Sequence, residues 1–262
     1  MDKTNKALKR ADDYIQENSK KINMDYRHRF HIMPPLGWMN DPNGFSLFRD
    51  DYHLFYQYYP FDSTWGPMHW GHAKTTDFMQ WEHLPVALVP SEDYDKNGIF
   101  SGTAIVVEDE LRLYYTGHID EQLNDLYDEN LMKIDEPKIG TTYNQARQVQ
   151  CLAISKDGIN FEKSLNNPIL TSEDIPANGR VEDFRDPKVW QYEGKYYLVA
   201  GSKRKDFIGQ VLFYKSDDGV QWTYMNQLTL GVEFGTVWEC PDIFELDGKM
   251  VLIFSARKMV FG

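Results

Sequence analysis

The amino-acid sequence predicts an all-β fold, a β-propeller preceded by one short helix, and two recurring elements carry that prediction. The first is an alternating, aromatic-rich strand entered from a polar turn. Tyr52–Tyr58, Leu111–Tyr115, Lys195–Val199 and Lys249–Phe254 follow Arg49-Asp50-Asp51, Glu108-Asp109-Glu110, Glu193-Gly194 and Asp247-Gly248. The second is a Ser/Thr-and-Asp turn that leads to an aromatic residue: Thr75 and Asp77 before Trp81, Ser155 and Asp157 before Phe161, Ser216 and Asp218 before Trp222. The order strand, turn, aromatic strand, long connection, second turn runs three times and begins a fourth, at a spacing of roughly 40–80 residues, as expected of one four-stranded sheet per blade. A β-sandwich with chance similarity among short strands is the competing architecture.

Taken in order, Ala7, Leu8, Ala11, Tyr14 and Ile15 fall at helical spacing among charged residues, which predicts one amphipathic helix over 4–22. The expected division is a helical extension over residues 1–24 and an incomplete propeller domain over 25–262. The stretch 120–147, rich in Asp, Glu, Asn and Lys, falls between two strands of the second unit and reads as a surface loop. The fourth unit shows only two strands before Gly262. A propeller must close into a ring, so the expectation is a chain cut off after the start of its fourth blade. Such a chain would expose apolar blade faces and be poorly soluble or partly unfolded by itself.

Composition narrows the partners. With 42% hydrophobic and 15% aromatic residues the chain can bury a large core, and its net charge of -12 argues against nucleic acid or an anionic membrane. The N-terminus lacks the apolar core of a signal peptide and no run approaches the ~18 apolar residues of a membrane span, so a cytoplasmic protein is expected. Cys151 and Cys240 allow no disulfide framework and show no metal-ligand spacing.

The chemistry lies just upstream of the polar turns. Asn40-Asp41-Pro42-Asn43-Gly44, Phe100-Ser101-Gly102-Thr103, Arg185-Asp186-Pro187-Lys188 and Glu239-Cys240-Pro241-Asp242 each start the strand that enters a turn, with Asp41, Ser101, Asp186 and Glu239 nine, eight, eight and nine residues before it. Innermost strands line the channel of a propeller, so Asp41, Asp186 and Glu239 are expected to converge at equivalent positions of three blades. Converging carboxylates raise one another's pKa, a cost that glycoside hydrolysis puts to use, since it needs one protonated and one ionised carboxyl. Acids that merely bind sugar hydroxyls, or a Ca²⁺ site, are the rival readings; against calcium, the three acids lie far apart and in no compact ligand loop.

Trp38-Met39-Asn40-Asp41-Pro42-Asn43-Gly44, Phe55-Tyr56-Gln57, Trp65-Gly66, His69-Trp70-Gly71-His72, Phe100-Ser101-Gly102, Phe184-Arg185-Asp186-Pro187 and Trp238-Glu239-Cys240-Pro241-Asp242 resemble glycoside hydrolase family 32, from about Arg27 to the end. The resemblance implies a five-bladed propeller, usually followed by a β-sandwich, and a β-fructofuranosidase that retains configuration at the fructosyl centre. It implies Asp41 as nucleophile, Glu239 as acid/base and Asp186 as transition-state stabiliser, with the Asp41 and Glu239 carboxyls ~5–5.5 Å apart. Trp38, Met39, Asn40, Gln57, Trp65, Phe100, Ser101 and Arg185 would bind substrate, and no cofactor or metal is needed. Sucrose 6-phosphate or sucrose is the expected substrate, with a fructan-acting enzyme or a silent sugar-binding propeller as alternatives.

Other conspicuous residues have plainer readings. Trp70, Trp81, Trp190, Trp222 and Trp238 are more simply core than sugar platforms. His53, His69, His72 and His83 suit structural hydrogen bonds better than metal. Lys203, Arg204 and Lys205 read as a solvated face, with a phosphate contact as the sharper alternative.

Overall fold

The computed structural model describes residues 2–135 and 146–259. Helix α1 spans Lys3–Asn18 and is capped by Asp2, whose carboxylate accepts from the Asn5 amide at 2.8 Å. It is shorter than the predicted 4–22 and gives way to a turn of 3-10 helix at Ser19–Lys21. The apolar stripe ends at Ile15, and beyond it there is no face left to bury. Ala11 is fully buried in a cluster with Tyr56, Tyr58 and Val86 of the first sheet, and Asp12 accepts from the Val86 amide at 2.9 Å.

Fourteen strands follow among the described residues. The first sheet contains β1 (Trp38–Phe48), β2 (Asp51–Tyr59), β3 (His69–Thr75) and β4 (Glu82–Leu88), in that order. The second contains β5 (Gly98–Val107), β6 (Glu110–Ile119), β7 (Arg147–Ser155) and β8 (Glu162–Lys163), the third β9 (Gly179–Tyr192), β10 (Lys195–Arg204), β11 (Gly209–Ser216) and β12 (Thr223–Thr229). The fourth has two strands, β13 (Val237–Leu246) and β14 (Lys249–Arg257). All pairings are antiparallel, and β1, β5, β9 and β13 contact one another in sequence as the inner strands of successive blades. No helix among the described residues is long and apolar enough to cross a membrane.

The second repeated motif is the turn from third to fourth strand. Asp77, Asp157 and Asp218 each accept two backbone amides at 2.8 Å, from Met79 and Gln80, Ile159 and Asn160, and Val220 and Gln221. The residue after each Asp is left-handed: Gly158 and Gly219 at φ 76 adopt this freely, while Phe78 holds φ 61 at some cost. The aromatic that follows reaches back to the preceding blade. Phe161 meets Phe55 edge-on at 5.5 Å and Trp222 meets Tyr114 at 6.1 Å, while Tyr114 donates to the Gly219 carbonyl at 3.0 Å. Alternation along β6 divides its side chains accordingly: Leu113 and Tyr115 join the core between the first two blades, Tyr114 the core between the second and third. Phe45, Leu47, Phe78 and Met79 on the first blade and Phe244, Leu246, Met250 and Ile253 on the fourth are exposed apolar residues.

Residues 120–135 are more than a surface loop. Leu123 and Asp120 are buried, and the Leu131 carbonyl accepts from Tyr59 at 2.7 Å, so apolar anchors within the acidic run fasten it to the first blade. Residues 136–145 of the predicted insertion lie outside the described residues.

Buried histidines couple this core to pH. Burial lowers His69 and His118 to about 3, and the His69 Nδ1–H donates to the Pro67 carbonyl at 2.8 Å. A histidine depressed in the folded state stabilises the fold fully above its unfolded value near 6.5, and that stability is lost as pH falls toward 3. Relative to the unsubstituted chain, His69→Asn should therefore regain about 1.4 kcal/mol per pH unit below 6.5 in urea melts. A stability difference that stays constant from pH 7 to pH 5 would contradict this.

Candidate active site

The four inner strands share one irregularity. Register shifts occur between Met39 and Pro42, Phe100 and Gly102, Arg185 and Lys188, and Glu239 and Asp242, so each strand bulges at its sequence-predicted stretch. Bulges re-aim side chains and are common beside active sites. Asp186 and Cys240 pay for theirs with left-handed backbone, at φ 58 and 47.

The register corrects one expectation. Phe100 pairs with Thr116, Arg185 with Gly201 and Glu239 with Ser255, each partner six residues beyond the residue that closes its hairpin (Glu110, Lys195, Lys249). Met39 pairs with Tyr58, seven beyond Asp51, so Asn40 holds the equivalent place in the first blade. Asn40, Phe100, Arg185 and Glu239 therefore form one layer and Asp41, Ser101, Asp186 and Cys240 the next. Glu239 is not equivalent to Asp41 and Asp186; Cys240 is. The equal spacing of nine residues arose because β1 carries an extra bulge between Asn43 and Ser46, where Gly44 sits at φ 54.

Both layers meet in a cavity of about 440 Å³ lined by Asn40, Asp41, Gln57, Trp65, Phe100, Ser101, Arg185, Asp186, Glu239, Cys240 and Ser255. Ser101 Oγ donates to Asp41 Oδ2 at 2.8 Å, and Cys240 Sγ lies 3.9 Å from the same oxygen. The Cys240 amide donates to Asp186 Oδ2 at 2.9 Å, with Arg185 Nε 4.0 Å away. Arg185 Nη2 donates to Glu239 Oε1 at 2.8 Å, and Arg257 Nη1 approaches that oxygen to 3.6 Å. Among the described residues, each carboxylate is thus anchored through one oxygen, leaving Asp41 Oδ1, Asp186 Oδ1 and Glu239 Oε2 free.

Burial lifts Asp186 to about 6, with Glu239 and Asp41 adding to the rise while Arg185 and the Cys240 amide hold it down. Desolvation and the same three carboxylates push the Cys240 thiol up, so it stays protonated. Arg185 is buried, and its charge is held by Asp186, Glu239 and Asp183.

The remaining candidates divide. Asn40 Oδ1 accepts from Trp38 Nε1 at 2.8 Å and Gln57 Nε2 donates to the Ile99 carbonyl at 2.8 Å. Trp38 and Met39 do not line the cavity; they join the apolar cluster beneath α1, where Trp38 steadies Asn40. Phe100 stacks on His118 with centroids 4.1 Å apart and meets Trp65 edge-on at 6.1 Å. Trp70 and Trp238 are buried core, Trp81 and Trp222 are packed in the apolar clusters, and Trp190 stacks on Tyr197. His53 and His72 contact each other at 2.9 Å, and His83 Nδ1 lies 3.4 Å from the Tyr56 hydroxyl. Lys203 is not on a solvated face: it pairs with Asp183 at 2.7 Å, because an inward-facing carboxylate recruits it.

Sequence reasoning passed over Cys240, Ser255 and Arg257. Cys240-Pro241 matches Asp41-Pro42 and Asp186-Pro187, a dipeptide signal that would have found Cys240. Ser255 and Arg257 carry no local signal. A larger cleft of about 690 Å³ lies between α1 and residues 123–131, but its carboxylates Asp128 and Glu129 are adjacent in one loop, and Asp128 caps the Asn130 and Met132 amides at 2.8 Å.

Comparison with known proteins places this geometry. The glycosyl hydrolases family 32 N-terminal domain matches residues 31–261. A sucrose-6-phosphate hydrolase of Zymomonas mobilis is 40% identical over 96% of this chain and 47% of its own length. A raffinose invertase of Escherichia coli is 41% identical over 88% of this chain and 44% of its own length. Among solved structures, a variant of a Bombyx mori beta-fructofuranosidase in complex with sucrose superposes with a TM-score of 0.81 at 40% identity, covering 98% of this chain and 50% of that one. This chain spans about half the length of the relatives it matches. With the family model matching most of its residues, the chain belongs to glycoside hydrolase family 32.

Proposed function

We propose that this chain carries the catalytic face of a retaining β-fructofuranosidase acting on sucrose 6-phosphate or sucrose. The observation that supports it best is the cavity in which three carboxylates from three blades are each fastened by one oxygen and open at the other. Asp41 Oδ1 attacks the anomeric carbon of the fructosyl ring while Glu239 Oε2 gives its proton to the bridging oxygen, and the bond between that carbon and that oxygen breaks. The result is a fructosyl ester on Asp41 and a free glucosyl hydroxyl. Glu239 then takes a proton from water, the water oxygen attacks the same carbon, and the ester is released. Asp186 Oδ1 accepts fructosyl hydroxyls and steadies positive charge on the ring in the transition state. Ser101 and the Cys240 amide orient Asp41 and Asp186, Arg185 orients Glu239, and Trp65, Asn40 and Gln57 form the wall that holds the sugar. The Zymomonas mobilis and Escherichia coli relatives and the sucrose-bound Bombyx mori structure support the choice of substrate.

Two inversions at one carbon leave configuration unchanged. Cleavage in water labelled with heavy oxygen is expected to place the label on fructose, with the β anomer appearing first in NMR spectra. Label on glucose, or an initial α anomer, would exclude this mechanism.

A further inference from the structure

A row of charges runs from Arg185 away from the cavity. Arg185 Nη1 donates to Asp183 Oδ1 and Gln148 Oε1, both at 3.1 Å, and the other Asp183 oxygen takes Lys203 Nζ at 2.7 Å. Arg180 Nε stands 4.0 Å from that same oxygen. The side chains of Arg185, Asp183 and Lys203 keep only 9%, 13% and 16% of their exposure, so these charges act on one another with little screening. Burial alone would raise Asp183, yet Lys203 and Arg185 outweigh it and hold this carboxyl below its ordinary value.

We propose that Asp183 and Lys203 form a positioning pair that holds the Arg185 guanidinium against Asp186 and Glu239. The inference rests on the reading of the cavity given above and extends it to two residues that do not line it.

Charge counting gives the reason. Arg185 faces three carboxylates, Asp183, Asp186 and Glu239, which one cation cannot neutralise. Arg257 stands 3.6 Å from Glu239 and Arg180 4.0 Å from Asp183, but Lys203, at 2.7 Å, is the second cation in direct contact with Asp183; by occupying its far oxygen it leaves Arg185 Nη2 for Glu239 and Nε beside Asp186. Without Lys203, Asp183 draws on Arg185 more strongly. Without the Asp183 carboxylate, Arg185 serves the two cavity acids alone. The two losses therefore act in opposite directions, whereas simple damage to packing would act in one.

The other groups around this array are accounted for. Asp186 is faced by Arg185 on its own strand, by Glu239 and Cys240 on β13 and by Asp41 on β1. Arg185 is also faced by His118 on β6 and Gln148 on β7, and Glu239 by Arg257 on β14. His118 titrates at about 3 and Cys240 stays a thiol, so neither changes charge near pH 6.

The test is the titration of Asp186, read by carbon-13 NMR on chain labelled at aspartate carboxyls and assigned with Asp186→Asn. It starts from a midpoint of about 6. Lys203→Met should move that midpoint up and Asp183→Asn should move it down, each by about half a unit or more, with Lys203→Arg unchanged. Shifts in the same direction, or no shift, overturn the proposal. Lys203→Gln repeats the measurement if Lys203→Met does not fold, and loss of the fold in both also overturns it, since the pair would then be structural. Failure of the catalytic reading shows elsewhere, as unchanged turnover in Glu239→Gln, and leaves these titrations as they are.

Discussion

Glu239→Gln is expected to lower turnover of sucrose by roughly 10²–10⁴-fold relative to the unsubstituted protein, the usual loss when a general acid is removed. Asp41→Asn should lose at least as much, because the one carboxylate assigned to form the fructosyl ester is then gone. The two should separate on an activated aryl fructoside, whose leaving group needs little protonation. There Glu239→Gln recovers the first step as a burst of released phenol, and Asp41→Asn does not. Both amides keep the size of the acids they replace, so circular dichroism and melting should stay close to those of the parent. Each amide also keeps one carbonyl oxygen, so the Ser101 hydroxyl in Asp41→Asn and the Arg185 guanidinium in Glu239→Gln still find an acceptor, although both bonds lose their ionic character. Near-normal sucrose rates in both variants would remove Asp41 and Glu239 from the mechanism.

Lys163→Met is expected to cost about 3–5 kcal/mol of folding stability, the range for leaving one partner of a buried ion pair uncompensated. Lys163 Nζ reaches Asp95 Oδ2 at 2.5 Å, the Val89 carbonyl at 2.9 Å and Ser91 Oγ at 2.9 Å. Asp95 also accepts from the Tyr115 hydroxyl at 3.1 Å and from the Ser91 and Glu92 amides at 3.0 and 2.9 Å. With side-chain exposures of 7% and 0%, neither charge has water to fall back on. The pair ties β8, the short outer strand of the second blade, to the loop that precedes β5. Adding Asp95→Asn to Lys163→Met should return part of the loss, because the orphaned charge is then gone. The measurement is the urea midpoint of each variant at unchanged slope. A loss under about 1 kcal/mol for Lys163→Met would show the pair to be no more than a surface bridge.

Why this pair escaped sequence reasoning, while the convergence of Asp41, Asp186 and Glu239 on one cavity did not, is a matter of range. Asp95 and Lys163 are separated by 68 residues and neither sits in a repeated motif. Lys203 looked solvated for the same reason: its neighbours Arg204 and Lys205 are charged, and its partner Asp183 comes from the adjacent strand. The helix, by contrast, was legible to within a turn, because capping by Asp2 and the stripe ending at Ile15 are local properties of the chain.

What the sequence by itself determined is whatever repeats within a few residues. Alternation set the strands, the Asp77, Asp157 and Asp218 turns set the blades, and the place of Asp41, Asp186 and Glu239 just ahead of the hairpins put them on inner strands. Tertiary structure alone decided which residues stand level with one another. Counting along the chain put Glu239 level with Asp41, and cross-strand pairing moved it one layer away, beside Arg185. The physical reason is the bulge at Gly44, which adds a residue to one strand without disturbing the local pattern on either side, so its effect is seen only in the hydrogen bonds to the neighbouring strand.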